Sequence, residues 1–342
     1  MKRPHTFLSV ALAAAPLLWF TERESRAEPT DTDSLQAQEP DSTDEQDDME
    51  TPGGLRPARR RTIEALLTEV RHPPRPTVFH PPPSNHFDTL QQVMRDLSAA
   101  AQTCEESVVV SARRRLAPIA MEVERLRQKG TTYLVVRERP SSLRGNGVYV
   151  LRCGDAAPLA LQAPHSYFDL NTATVSYKAF RKLKARFLLM NTVQRYRGRQ
   201  MEVVTDNAHP ADMAHNPRGM FQAAHLGMLT AAPQTLFVQL HGFDSSWRDV
   251  DVVLSDGRVE PQVFSQRLAD AWKDRSLRIA VFGRQFKGLG AMTNSQAQAT
   301  HAVGGRFLHI ELSLELRREM VRGGRALRRL CNALLELVTE PK

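Results

Sequence analysis

One run constrains this chain more than any other: "TLFVQLHG", residues 235–242. It is apolar on both alternating faces until His241, so as a strand it has no face to offer water. Such a strand belongs inside a sheet covered on both sides, the habit of parallel sheets in α/β proteins. Other short β-branched or apolar runs share the chain with it. "TTYLVV", "GVYVLRC" and "PLALQA" follow one another from residue 131, with "RGNG" as a hairpin signal between the first two. "DVDVVLSDG", "LRIAVFG" and "RFLHIELSL" come later. Helical spacing intervenes over 178–190, 220–229 and 261–272, and a long basic helix interrupted at Gly323-Gly324 follows the last strand. "MEVVT" at 201–205 reads as a further strand. The expected fold class is therefore α/β, three-layer, with a mixed, mostly parallel sheet flanked by helices.

The region before residue 131 reads differently. Residues 60–71, 87–101 and 112–128 show apolar positions recurring at three and four, so 58–130 reads as a helical amino-terminal part, with Gly130 ending its last helix. Ahead of it, residues 28–50 hold ten Asp or Glu and no Lys or Arg. Such a segment buries too little apolar surface to offset its ordering entropy, and 28–57 reads as a disordered acidic linker. Residues 1–27 have Lys2 and Arg3, an apolar stretch from Phe7 to Phe20 and small residues around Ala27, the pattern of a secretory signal peptide. The expected location is exported, periplasmic or extracellular, with retention as a membrane anchor the competing reading. Residues 131–342 form the expected α/β domain.

The whole chain of 342 residues has a formal charge of +8. Outside residues 1–50 it carries 42 basic and 26 acidic residues. That balance suits either a solvated basic surface or an anionic cell-envelope polymer as partner. The basic helices interleave few aromatics, which argues against nucleic acid. No run after the signal is long and apolar enough to span a bilayer. Three cysteines are too few for a zinc ribbon; an exported chain allows one disulfide, Cys104 with Cys153, leaving Cys331 free.

In open sheets of this kind ligands sit beyond the carboxyl ends of the strands. Three polar residues fall there. In "LQAPHSYFDLNT", an apolar run ends on Pro164 and presents His165, with Asp169 one turn on. His241 closes the strand quoted first, with Gly242 leaving room beside it. Glu311 sits inside "LHIELS", where a carboxylate is costly to bury unless paired or used. Imidazole and carboxylate are zinc donors, and a catalytic zinc takes three protein ligands and one open position. His165, Asp169 and His241 are the candidate ligands and Glu311 the candidate base. Each alone has an ordinary reading as a hydrogen-bonded or ion-paired residue, with Arg317 or Arg318 as partners for Glu311.

Three segments carry a family resemblance. "QAPHSYFD", "FVQLHGFD" and "FLHIELSLELRREM" resemble the corresponding strands of the N-formylglutamate amidohydrolase group, relatives of the zinc carboxypeptidases. The resemblance spans about residues 158–320 and implies zinc bound by His165 and His241, with Glu311 as the catalytic carboxylate. It departs at Asp169, where the carboxypeptidases have a Glu one residue closer to the histidine. His215, in "DNAHPADMAHNPRGMFQAAH", is the alternative third ligand. The same comparison implies substrate contacts from His215, Asn216 and His225, and from Arg195 as a clamp for a substrate carboxylate. The expected function is an exported zinc-dependent amidohydrolase or peptidase acting on a small amide or peptide. N-formylglutamate itself fits poorly with an exported chain. The rival is a non-catalytic envelope-binding protein that uses its basic surface on the same fold.

Overall fold

The computed structural model describes residues 62–71, 78–196, 209–244, 249–272 and 276–339. The expected signal peptide at 1–27, the expected acidic linker at 28–57 and the strand expected at 201–205 lie outside them. Three helices open the described chain: α1 (Ile63–Arg71), α2 (Ser84–Ala99) and α3 (Glu106–Leu116). Strands β1 (Met121–Gln128), β2 (Thr131–Glu138), β3 (Val148–Arg152) and β4 (Ala157–Ala163) follow. Then come α4 (Thr172–Lys182), β5 (Ala185–Met190), α5 (Met220–Ala231) and β6 (Leu236–Phe243). The chain continues through β7 (Val252–Ser255), α6 (Val263–Ala271), β8 (Ile279–Val281) and α7 (Ser295–Ala302). It ends with β9 (Arg306–Ser313), α8 (Leu314–Val321) and α9 (Arg325–Thr339).

All nine strands join one sheet in the order β1-β2-β3-β5-β4-β6-β9-β7-β8. The four central strands, β5-β4-β6-β9, run parallel. Antiparallel pairings flank them: β1-β2-β3-β5 on one side and β9-β7 on the other. The sheet is thus mixed, with its parallel part in the middle, where both faces are covered. On one face Val150, Leu161, Leu188, Val238 and Ile310 pack with residues of α1, α4, α6, α8 and α9. On the other, Leu151, Ala160, Phe187, Phe237 and Phe307 pack with α2, α3, α5 and α7. The α/β three-layer expectation holds. Fully burying side chains such as Phe237 and Phe307 contributes about 1.5–3 kcal/mol each.

Three local expectations fail, each for a physical reason. The helix expected over 112–128 ends at Leu116. Pro118 and a left-handed Ala120 (φ 57°) break it, and "MEVERLRQ" becomes β1 because it pairs along its whole length with β2. Lys129 and Gly130, both at positive φ, make the hairpin turn between them, so Gly130 reverses the chain instead of ending a helix. The helix expected over 178–190 lies earlier and is shorter. After α4 the chain turns at Lys184 (φ 48°) and Ala185–Met190 inserts as β5 between β3 and β4, where tertiary burial overrides local periodicity. Helix α7, "SQAQATHA", has no apolar stripe to betray it; it is started by Asn294, whose side chain accepts from the backbone N–H of Gln296 and Ala297. Cys104 and Cys153 form a disulfide and Cys331 is free and buried, as expected. No described helix is long and apolar enough to cross a membrane.

Candidate active site

Strands β4, β6 and β9 are neighbours, and their carboxyl ends bring together the candidate residues. On the α5-facing side, the residue types along the three strands change in step. Ala160, Phe237 and Phe307 lie side by side in the apolar layer. Two residues on, Gln162, Gln239 and His309 are side by side; two further, His241 pairs with Glu311. The period of two keeps these residues on one face, and that face passes from apolar to polar toward its carboxyl edge.

His165 lies just past β4. The backbone N–H of Asp169 donates to the His165 carbonyl at 2.9 Å, closing one turn that puts both side chains on the same side. His165 Nδ1 lies 3.3 Å from Asp169 Oδ2, His241 Nδ1 lies 3.4 Å from the same oxygen, and the two Nδ1 atoms are 3.1 Å apart. These three atoms form a nearly equilateral triangle. Corners of a tetrahedron around zinc, with bonds of ~2.0–2.1 Å, stand about 3.3–3.4 Å apart. The donor set fits the ion in chemistry and spacing. All three residues are buried. The backbone N–H of Gly242 also donates to Asp169 Oδ2, at 3.1 Å.

The outer nitrogens are held as well. His165 Nε2 lies 2.8 Å from Asp212 Oδ1 and His241 Nε2 lies 2.8 Å from Gln239 Oε1. Such partners orient metal-binding imidazoles. Burial opposes a charge on His165, but Asp212 and Asp169 outweigh it and lift its pKa to about 9. Burial also opposes charge on the two carboxylates, yet their histidine partners hold Asp169 and Asp212 well below the usual carboxylate range. His241 is pushed down to about 4, chiefly by burial. His165 is thus protonated at neutral pH, its charge held between Asp169 and Asp212.

Glu311 is buried, and burial, followed by the charge of Asp169, raises its pKa to about 8. Its Oε1 is 3.6 Å from His309 Nε2, and Oε2 has no protein hydrogen-bond partner. His309 Nδ1 likewise has none, and its ring lies 4.5 Å from that of His241.

The remaining candidates divide. Arg195 is ion-paired to Asp212, and its guanidinium lies 5.4 Å from the Phe168 ring and 5.1 Å from the Tyr196 ring. Those rings pack edge to face at the exposed rim. His215 Nδ1 is 3.2 Å from Asp212 Oδ2, so this histidine stands behind His165 and not in the triangle. The Asn216 side chain is engaged by its own loop: it donates to the Pro210 carbonyl and accepts from the Arg218 N–H. His225 is fully buried between Gln162 and Thr300, one layer below the site.

Three residues escaped the sequence reading. Asp212 carries no spacing signal that sets it apart within a His- and Asp-rich stretch. Gln239 and His309 do carry one: each lies two residues before a candidate, on the same strand face, in an otherwise apolar run. Arg317 donates to the carbonyls of Leu170 (2.6 Å), Phe243 (2.8 Å) and Ser313 (3.4 Å). It thereby ties the ends of β6 and β9 to the turn that follows β4, and it does not pair with Glu311. The space beside Gly242 is filled by this guanidinium, which a Cβ at 242 would overlap.

No family model matches the chain, and no curated protein matches it by sequence. Among solved structures it is similar to N-formylglutamate amidohydrolase from Ralstonia eutropha, with 14% identity over 57% of this chain and 96% of that one and a TM-score of 0.35. It is similar to the LapA aminopeptidase of Legionella pneumophila, with 11% identity over 87% of this chain and 81% of that one and a TM-score of 0.36. A third is the tripeptide-bound cell shape determinant Csd4 of Helicobacter pylori, with 15% identity, 54% and 52% coverage and a TM-score of 0.33. The first bears the name of the family that the three sequence segments resemble. At TM-scores this low the likeness carries no weight for the chemistry, which stands on the distances among this chain's own side chains.

Proposed function

We propose that this chain is a zinc-dependent hydrolase of an amide or peptide bond, with the ion held by His165 Nδ1, His241 Nδ1 and Asp169. A zinc ion in such a site supplies a Lewis acid for the scissile carbonyl and lowers the pKa of water. The observation that carries the reading is the triangle of donor atoms with Glu311 beside it on the next strand. Glu311 Oε2, buried and without a protein partner, is the acceptor for the proton of the attacking water, and the same carboxyl returns it to the leaving amine. Positive charge at the triangle favours the ionised form that this base requires. Asp212 and Gln239 hold the imidazoles, and Arg195, backed by Asp212, sits at the rim as the cation for a substrate carboxylate. Export rests on residues 1–27, and the disulfide agrees with an oxidising compartment.

The test uses purified full-length protein and a panel of N-acyl amino acids and short peptides. Glu311→Gln should keep about one zinc per chain and lose about 10²–10⁴-fold in turnover. Wild-type turnover in that variant would remove Glu311 from the mechanism. A wild-type protein that takes up no zinc would leave the envelope-binding alternative standing.

A further inference from the structure

We infer that Gln239 is a positioning residue whose carboxamide locks His241 as the Nε2–H tautomer and so turns its Nδ1 lone pair into the donor triangle. The inference rests on the metal reading above and concerns what prepares the site for the ion.

Backbone atoms, whose donor and acceptor roles cannot be exchanged, fix the orientation of the buried amides. One anchor is the carbonyl of Met213. It lies 3.0 Å from Gln296 Nε2, which must donate, and this fixes the Gln296 amide with Oε1 as its acceptor end. The atom of Gln239 that faces Gln296 Oε1 at 3.1 Å must therefore be Nε2, leaving Gln239 Oε1 toward His241. A second anchor is independent of the first. Asn294 caps α7 by accepting from the backbone N–H of Gln296 and Ala297, both at 3.0 Å, so its Oδ1 is spoken for. Its Nδ2 then points at Gln239 and donates to Oε1 at 2.5 Å. Both anchors give Gln239 the same orientation.

An acceptor oxygen 2.8 Å from His241 Nε2 requires a proton on that nitrogen. A neutral His241 then has its lone pair on Nδ1, the atom that meets His165 and Asp169. The other end of Gln239 is secured too: Nε2 donates to Gln162 Oε1 at 3.0 Å, and Gln162 in turn meets His225 at 2.9 Å. Every member is buried, so water offers no substitute. Rotating the Gln239 amide would set oxygen against oxygen at Gln162 and Gln296 and N–H against N–H at Asn294. This is the role the structure supports for His225: it steadies the lattice under the site.

The experiment has two parts. In cation-stripped full-length wild type at neutral pH, long-range ¹H–¹⁵N correlation spectra of the imidazoles report the tautomer of His241. The inference expects Nε2–H; an Nδ1–H tautomer overturns it without any variant. Zinc affinity is then measured by competition with a chromophoric chelator. Gln239→Met, similar in length and without hydrogen bonds, should bind zinc about 10–100-fold more weakly. Affinity within about twofold of wild type would overturn the inference. Should that variant fail to fold, Asn294→Ser keeps a helix-capping oxygen but removes the donor to Gln239, and it should weaken zinc in the same direction. A wild type that binds no zinc but shows the Nε2–H tautomer would defeat the metal reading and leave the Gln239 orientation intact.

Discussion

The Nδ1 atoms of His165 and His241 meet at 3.1 Å, each turned toward the other by a partner on its far nitrogen. Two imidazole nitrogens this close share a proton or a cation, and Asp169 Oδ2 lies 3.3 Å from one and 3.4 Å from the other. Asp212 is the group that turns His165. Asp212→Asn keeps the size of the side chain but removes its charge, so the variant should fold and bind zinc about 10–100-fold more weakly. Chelator competition measures this. His165→Ala, run beside it, should hold essentially no zinc after dialysis. Wild-type affinity in Asp212→Asn would show that the carboxylate does not set the imidazole.

Gly242 sits against the Arg317 guanidinium, which ties Leu170, Phe243 and Ser313 together. Gly242→Ala forces that guanidinium off at least one carbonyl. The expected loss of stability is about 2–4 kcal/mol, the scale of overpacking plus a broken buried hydrogen bond. Urea unfolding gives the number. A change under about 0.5 kcal/mol, the range of an ordinary surface substitution, would mean that the arginine has room to move.

Cys104 and Cys153 close a loop of sequence separation 49 and join the turn after α2 to the end of β3. By loop-closure entropy this bond contributes about 4 kcal/mol. Cys104→Ser with Cys153→Ser should lower the urea midpoint accordingly and leave zinc content unchanged, because the bond is on the opposite flank of the sheet from β9. Equal midpoints with and without the bond would contradict the entropy argument.

Glu138 offers a pH test remote from the donor triangle. Its buried carboxyl accepts from the backbone N–H of Arg144 at 2.6 Å and of Gly145 at 3.1 Å, but burial dominates and raises its pKa from 4.5 to about 7. In the unfolded chain it ionises near the ordinary value. The raised folded pKa means that the contribution is complete below about pH 4.5 and is lost as pH rises through about 7, a change of roughly 3 kcal/mol. Unfolding midpoints at several pH values should fall across this window in wild type and fall less in Glu138→Gln. Parallel pH profiles would show that the backbone donors keep the group ionised.

Much of this was legible in the chain. "TLFVQLHG" reads as a doubly covered strand because its apolar residues leave no wet face, and β6 lies third of the four parallel central strands. His165, His241 and Glu311 stand out because strand ends are where polar groups become affordable in such a sheet. Segments with two consistent periods were harder. "MEVERLRQ" suits a helix or a strand locally, and only its pairing with β2 decides. Asp212 was invisible for a different reason: it reaches His165 across 47 residues, through a loop whose path no periodicity encodes. Gln239 was hidden by its context, since a lone amide in an apolar strand looks like a defect until its neighbours Gln162 and Gln296 are seen to match it.

His241 and Glu311 are directly paired across β6 and β9. The spacing of their backbones is thus a property of the strand ladder, about 4.8 Å whatever the flanking loops do. Loops beyond the strand ends can be exchanged, lengthened or remodelled, and under the proposed function the choice of amide with them, while the proposed ligand His241 and the proposed base Glu311 keep their strand pairing. In a chain built this way, selectivity and reactivity can evolve on separate parts of the molecule.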